Sequence, residues 1–561
     1  MRSEADGYAK PLMSEHRSRS SFPRRSLFAV CFALVVLVGI GVGVAIGIAP
    51  AQHDGPPTAA QKSGYASILP APIRATAVGG HFTVTGSTGV SAPSGSAAAR
   101  GVADYLAGLL RPATGYAVPV STGGAGDIRL ELRSAANGEQ LGAEGYLLTV
   151  SDSQIVIQAE QPAGLFHGVQ TLRQLLPASI EQRTAQAGTQ TTVWTVPSGS
   201  VLDTPRFSYR AAGLDVARHF FTVTQVERYI DEISLYKIDY LHLHLTDDQG
   251  WRIAIDNWPN LTAVGGRTEI GGGAGGYYTQ AQYRQLVAYA QSRFVTIIPE
   301  IDVPGHVTAA LAAYPGLSCD GKPRSPSTVI GGAFSSLCAG KQLTGTFLDQ
   351  VIGQLAALTP GPYVGIGGDE AAATSPAAYT SIVDRAAADV RADGKIPWGW
   401  QETAAAHPGT PDVAAYWHTD PPTTQLKQAA GAGTKLVLMP ANHAYLDQKY
   451  DQNTKLGLKW AGYVEVQNAY DWNPGTYLAG VNSSAVLGVE ADLWTETVAS
   501  SADIDYMAFP RLPAIAELGW SPAATHDWAA FRLRLAAQGP RWKALGISYY
   551  KSPQVPWPAG S

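Results

Sequence analysis

The chain has 561 residues, 45% of them hydrophobic and 15% charged, and a formal net charge of −5. Hydrophobic content this high excludes a largely disordered chain, and the near balance of charge argues against nucleic acid as the main partner. Three cysteines are too few for a disulfide-dense scaffold or a cysteine-rich zinc domain.

In chain order, residues 1–26 form a basic segment, predicted to be cytoplasmic, that ends near Arg17, Arg19, Arg24 and Arg25. Leu27 to Ala49 is an uncharged run, long enough as a helix, at about 34 Å, to cross a bilayer core. The next Lys or Arg is Lys62, so the positive-inside rule places everything after the span outside. The run exceeds the usual signal-peptide core, which favours an uncleaved transmembrane anchor. Ala49-Pro50-Ala51 resembles a small-x-small cleavage site, which leaves a signal sequence open. Both readings make the protein extracytoplasmic. Cys31 inside the run reads as a small buried hydrophobe. In an oxidising compartment Cys319 and Cys338 are expected to pair and staple a Gly/Pro/Ser-rich loop.

Residues 50–65 read as a flexible linker. A small α+β support domain is expected over 66–206. Strand-like runs at 128–132, 146–150 and 154–158 predict an antiparallel sheet, and GLFHGVQTLRQLL (164–176) predicts an amphipathic helix upon it. From 207 to 561 short apolar runs alternate with helical segments. Candidate strands at 211–216, 240–245, 295–301, 363–367, 396–400, 413–417, 435–439 and 486–494 predict a (β/α)8 barrel. Chemistry in that fold sits at the strands' C-terminal ends.

Those ends carry Asp215-Val-Ala-Arg218-His219-Phe220, then His242-Leu-His244-Leu-Thr-Asp247-Asp248, then Pro299-Glu300-Ile-Asp302-Val-Pro304-Gly305-His306. Next come Gly367-Gly368-Asp369-Glu370, Trp398-Gly-Trp400, Tyr416-Trp417, Tyr445-Leu-Asp447 and Trp494-Thr-Glu496. Carboxylates beside indoles suggest a sugar, whose C–H faces pack on aromatic rings while its hydroxyls need polar partners. Thirteen tryptophans, all but Trp194 after position 250, agree with aromatic platforms for a minority of them. Trp251, Trp258, Trp520, Trp528 and Trp542 read as packing residues.

Asp369-Glu370 is the sharpest element. Retaining glycosidases ordinarily place two carboxylates about 5 Å apart on separate parts of the scaffold. Consecutive residues in extended chain point to opposite faces, so a different nucleophile, such as a substrate's own 2-acetamido group, comes into consideration. His242-x-His244 alone would suggest a metal-dependent hydrolase. Later strands supply too few histidines, so a hydrogen-bonded role is expected, with no metal and no cofactor. The glycine run 271–276 lacks the Lys-Ser/Thr of a phosphate loop and reads as a flexible insertion near the mouth.

The ordered series RHF (218–220), HLHLTDDQGW, PEIDVPGH, GGDE and LWTE resembles the glycoside hydrolase family 20 β-N-acetylhexosaminidases. The resemblance covers about 207–545, with the preceding region similar to that family's small N-terminal domain. It implies exo-hydrolysis, with retention, of terminal non-reducing β-linked N-acetylglucosamine or N-acetylgalactosamine on a glycan partner. It further implies Glu370 as general acid/base and Asp369 as acceptor of the acetamido N–H. Tyr445 would donate to the acetamido oxygen, and Arg218 and Glu496 would hold the sugar hydroxyls, with Asp447 nearby. Trp400, Trp417 and Trp494 would enclose ring and methyl, Trp460 would line the entrance, and Asp247 with His306 would support Glu370. A desolvated pocket is expected to raise the pKa of Glu370. A catalytically silent sugar-binding protein on the same barrel is the alternative, against which the intact Asp369-Glu370 pair counts.

Overall fold

The computed structural model describes residues 56–561 except 125, 135–137, 185–191, 332–334, 407–411 and 420–422. The basic segment, the apolar run 27–49 with Cys31, and residues 50–55 lie outside the described residues. Among the described residues no helix is long and apolar enough to cross a membrane.

The expected linker ends in a helix, Ala59–Ala66. Thr58 Oγ1 accepts from the Gln61 N–H (3.2 Å) and Gln61 Oε1 from the Thr58 N–H (2.7 Å), a capping box that satisfies donors the first turn would otherwise leave bare. Tyr65 then buries against the first sheet, its hydroxyl donating to Pro197 O at 3.0 Å.

That sheet has seven strands: β1 (Arg74–Thr83), β2 (Val90–Ala92), β3 (Val120–Thr122), β4 (Ile128–Leu132), β5 (Tyr146–Val150), β6 (Ile155–Ala159) and β7 (Thr195–Asp203). Their order is β1-β7-β5-β6-β4-β2-β3. The expectation of a purely antiparallel sheet is corrected. β1, β7, β5 and β6 pair antiparallel, whereas β6, β4, β2 and β3 pair parallel. The parallel half arises because the connection from β2 to β3 runs through a helix, Ala97–Thr114, rather than a tight turn.

A second helix, Pro162–Leu175, is buried on its polar side as well as its apolar side. The barrel covers that side: Trp520 meets His167 edge-on at 4.9 Å and Phe294 meets Phe166 at 5.3 Å. Charged groups across this junction are paired. Arg210 reaches Glu144 at 2.5 Å, Lys237 reaches Asp203 at 2.9 Å, and Arg541 reaches Glu181 at 2.5 Å. Trp520, expected only to pack, also donates its indole N–H to Asp203 at 2.8 Å.

The second domain is a closed barrel of parallel strands. They are β8 (Tyr209–Asp215), β9 (Tyr240–His244), β10 (Thr296–Glu300), β11 (Tyr363–Gly365), β12 (Ile396–Trp400), β13 (Val413–Tyr416), β14 (Lys435–Leu438) and β15 (Val486–Leu493). β15 closes on β8, with Val489 opposite Arg210. Each of the eight overlaps a predicted run, because strands buried on both faces read as continuous apolar stretches. Cys319 and Cys338 form the expected disulfide. Its loop lies over the mouth, where Ser327 donates its N–H to Asp248 O at 2.9 Å. The glycine-rich insertion lies beside it: Ile270 donates to Arg218 O and Gly271 to Thr328 O. A separate cavity of about 780 Å³, lined by Tyr105, Arg173, Glu232, Arg293 and Phe294, opens between the domains by segments that precede β9 and β10. It therefore lies at the strands' N-terminal ends, opposite the mouth.

Candidate active site

At the end of β8, Asp215 is a fully used carboxylate. Oδ1 accepts the N–H groups of Ala217 and Arg218 (2.8 and 3.0 Å), and Oδ2 accepts the N–H and hydroxyl of Thr495 (both 3.0 Å). One side chain thus fixes the loop carrying Arg218 and the turn carrying Glu496. Arg218 donates from Nη2 to Asp247 Oδ2 at 2.7 Å and stacks over Trp494 at 5.0 Å. Its Nη1 is buried without a hydrogen-bond partner, 3.6 Å from Asp215 Oδ2 in an ion pair. Burial alone would lower the guanidinium pKa, but Asp247, Asp215 and Glu496 raise it, so Arg218 stays charged.

Beneath the mouth an alternating series of carboxylates and imidazoles runs through the barrel. His242 donates from Nδ1 to Glu490 (2.8 Å) and from Nε2 to Glu300 (3.0 Å). His244 donates from Nδ1 to the same Glu300 oxygen (2.5 Å) and from Nε2 to Asp247 (3.1 Å). All four ring nitrogens of the His-x-His pair are thereby engaged with carboxylates, the hydrogen-bonded role expected for them. Burial would lower the His244 pKa, yet Glu300 and Asp247 push it up to about 9. His306 continues the series, its Nδ1 donating to Asp247 Oδ1 at 3.2 Å. Its Nε2 lies 3.6 Å from Asp369 and 3.5 Å from Glu370. Asp247 and Asp369 outweigh burial and keep His306 protonated well above its ordinary range. Asp248 anchors the loop, accepting from Ser335 Oγ (2.8 Å) and the Thr308 N–H (2.9 Å).

The Gly367-Gly368 turn that follows β11 sets the pair above this series. Both glycines have positive φ (67° and 101°). A Cβ on Gly367 would stand 1.8 Å from Asp302 Oδ1, so only glycine lets the turn close over that carboxyl. Glu370 and His306 themselves adopt left-handed φ, 44° and 51°, a backbone strain that non-glycine residues concentrate at functional sites. The turn splits the pair. The Asp369 side chain is 15% exposed and that of Glu370 is 61% exposed. Asp369 Oδ1 is buried with no partner. Burial raises the Asp369 pKa, with His306 opposing.

The expectation of a raised Glu370 pKa is corrected. The contact with His306 holds its carboxyl below the ordinary value, and the open setting of the side chain leaves too little burial to oppose it.

Five aromatic side chains form the walls of the mouth. Trp400 is fully buried and meets Trp494 at 5.6 Å. Trp417 lies parallel to Tyr445 (6.1 Å, 4°), and Trp460 stands edge-on to both at 5.8 and 5.9 Å. Trp460 is half-exposed, at the rim. Burial with Asp492 and Asp369 pushes the Tyr445 hydroxyl well above its usual range, so it remains a donor. Asp447 is buried and its neighbour Glu496 part-buried, and both carboxyls are raised, by desolvation first. Asp447 Oδ1 has no partner. All twelve residues singled out for catalysis and substrate binding therefore gather at the barrel mouth. Sequence reasoning placed Asp215, Asp302 and the Gln401–Glu402 pair at strand ends but gave them no role. Gln401 accepts the backbone N–H of Trp417 (3.1 Å), and Glu402 accepts its indole N–H (3.2 Å). A polar residue at or just beyond a strand end was the available signal for each.

The pattern of the glycosyl hydrolase family 20 catalytic domain matches residues 207–523, and that of the family's domain 2 matches residues 65–204. A β-N-acetylhexosaminidase of Cellulomonas fimi is 43% identical over 419 residues, 74% of this chain and 82% of that protein. The solved structure of the family 20 β-N-acetylhexosaminidase from Streptomyces coelicolor A3(2) superposes with a TM-score of 0.85 at 50% identity, covering 88% of this chain and 99% of that one. A mutant Streptomyces plicatus β-hexosaminidase in complex with product GlcNAc gives a TM-score of 0.85 at 51% identity, over 88% of this chain and 98% of its own. With both domains matched and the barrel mouth so furnished, the chain belongs to glycosyl hydrolase family 20.

Proposed function

We propose that the protein is an exo-acting β-N-acetylhexosaminidase that removes terminal β-linked N-acetylhexosamine with retention, its nucleophile being the substrate's 2-acetamido oxygen. The observation that carries this reading is the split between Asp369 and Glu370. One carboxyl is buried with a free acceptor oxygen, the other is exposed beside a charged histidine, and both lie within one aromatic box. Asp369 Oδ1 accepts the acetamido N–H, Tyr445 donates to the acetamido oxygen, and Trp400, Trp417 and Trp494 hold the group in attack geometry. An intramolecular nucleophile so placed replaces the second carboxylate of the usual scheme. Glu370 protonates the leaving oxygen and then deprotonates water. Arg218 Nη1, Asp447 and Glu496 take the ring hydroxyls at the closed end, which admits a chain terminus only, and Trp460 lines the entrance. Asp247 and His306 act on Glu370 from behind.

The test is hydrolysis of an aryl N-acetyl-β-glucosaminide, with and without EDTA. Turnover unaffected by chelator is expected. No turnover by folded protein would refute the reading, and loss of turnover with EDTA would point to a metal hydrolase.

The domain plan proposed with it has 66–206 supporting a catalytic barrel over 207–561, directed out of the cytoplasm by residues 27–49 as an anchor or a cleaved signal. The Cys319–Cys338 disulfide fits an oxidising compartment. The N-terminal sequence of mature protein from cells distinguishes an anchor from a cleaved signal.

A further inference from the structure

Behind Asp369 lies a third carboxyl to which neither the sequence nor the reaction scheme gives a part. Asp302 follows β10 and is 1% exposed. Its backbone N–H donates to Thr246 Oγ1 (3.2 Å), and its Oδ1 accepts the N–H of Gly368 at 3.0 Å, directly beneath the catalytic turn. Asp302, His306 and Asp369 present ligand atoms that all lie within 4.8 Å of one another. The Asp302 and Asp369 carboxyls therefore stand side by side beneath the turn.

Two largely covered carboxylates this close cannot readily both ionise, so the pair is expected to hold a proton between them. Where that proton resides follows from the partners. Oδ1 of Asp302 is committed as an acceptor to Gly368, which leaves Oδ2 to carry an O–H. Asp369 faces the His306 imidazolium, which favours the anion there. We infer that Asp302 is a positioning residue, a neutral acid whose O–H donates to Asp369 Oδ2 and so leaves Oδ1 as the one free acceptor for the acetamido N–H. Other charged or titratable groups act on the pair: His306 and Glu300 act on both carboxyls, His306 being the second-largest cause on Asp369 and the third on Asp302, and Glu370 acts on Asp369, while Asp369 in turn acts on Glu402, Tyr379 and Tyr445. Both carboxyls are raised by burial; in Asp302, raised well above the carboxylate range, Asp369 adds to the rise, whereas in Asp369 His306 and then Asp302 oppose it.

The inference rests on the proposed role of Asp369, and the experiment separates the two. Wild type and the Asp302→Leu, Asp302→Ala and Asp302→Asn variants are assayed on an aryl N-acetyl-β-glucosaminide. Each is also titrated with a thiazoline mimic of the cyclised intermediate and with an iminosugar lacking the acetamido group. Loss of a hydrogen bond to a charged acceptor predicts that Asp302→Leu lowers kcat and thiazoline affinity together by roughly 10- to 100-fold. Iminosugar affinity is expected to stay near the wild-type value. Asp302→Asn can donate from its amide and accept from Gly368, and is expected to recover most of the loss. If Asp302→Leu does not fold, Asp302→Ala carries the same comparison. An Asn variant as impaired as the apolar ones would overturn the inference, as would apolar variants that keep thiazoline affinity. An inactive wild type would instead overturn the functional reading.

Discussion

Glu370→Gln is expected to lower kcat on an N-acetyl-β-glucosaminide by about 10²–10⁴-fold, the usual worth of a positioned acid/base, while the sugar still binds. Glutamine keeps the size and the left-handed backbone position but has no proton to give. Near-normal turnover would mean that another group supplies the acid. The pH profile adds a finer test, since His306 sits 3.5 Å from this carboxyl and depresses its pKa in the open site. A general acid works only below its pKa, so depression moves the alkaline limb of kcat/KM to lower pH. A bound sugar covers the exposed carboxyl, removes water and shifts that pKa upward. The alkaline limb of kcat is therefore expected at higher pH than that of kcat/KM. In His306→Asn the cation is gone, the free-enzyme carboxyl rises, and the kcat/KM limb moves to higher pH. A limb that stays put or moves down would show that His306 does not set the proton affinity of Glu370.

These assignments were legible to different degrees. The barrel could be read because each strand is a short apolar run whose last residues are chemical, as in HLHLTDD and the GGDE turn. The first domain was harder. β7 contains Pro197 and Gly199, and β1 contains Gly79-Gly80, residues that ordinarily mark the end of a strand. Parallel pairing of β2 with β4 and of β4 with β6 joins segments distant in sequence, which local patterning does not encode. The helix at 59–66 was hidden because its signal is one capping box, Thr58 with Gln61, inside a Pro-rich stretch. Within the site, residue types were visible but their environments were not. Nothing in PEIDVPGH states that Asp302 turns beneath Gly367 rather than into solvent. Nothing in GGDE states that Glu370 is left open while Asp369 is buried. Burial and proton affinity depend on what the fold brings near, so the direction of the Glu370 shift became visible only with His306 in place.

Asp369→Asn and Asp369→Ala provide the second large effect, and substrate choice makes it specific. With an N-acetyl substrate, each change is expected to lower kcat by about 10²–10³-fold, the scale seen when one preorganised transition-state partner is removed. Alanine leaves the acetamido N–H unpaired. Asparagine presents an amide whose donor face can meet the N–H, so it is not a safe isostere here. With a plain β-glucoside the wild-type enzyme is expected to be very slow, because no internal nucleophile exists. On that substrate the Asp369 changes should cost little more, since the group they serve is absent. Side chain and acetamido group should therefore couple: removing both costs far less than the product of removing each. Comparable cleavage of N-acetylglucosaminide and glucoside by the wild type would exclude substrate assistance. Equal losses on both substrates in the Asp369 variants would mean that Asp369 serves the barrel mouth as a whole, through His306 and Asp302, rather than the acetamido group.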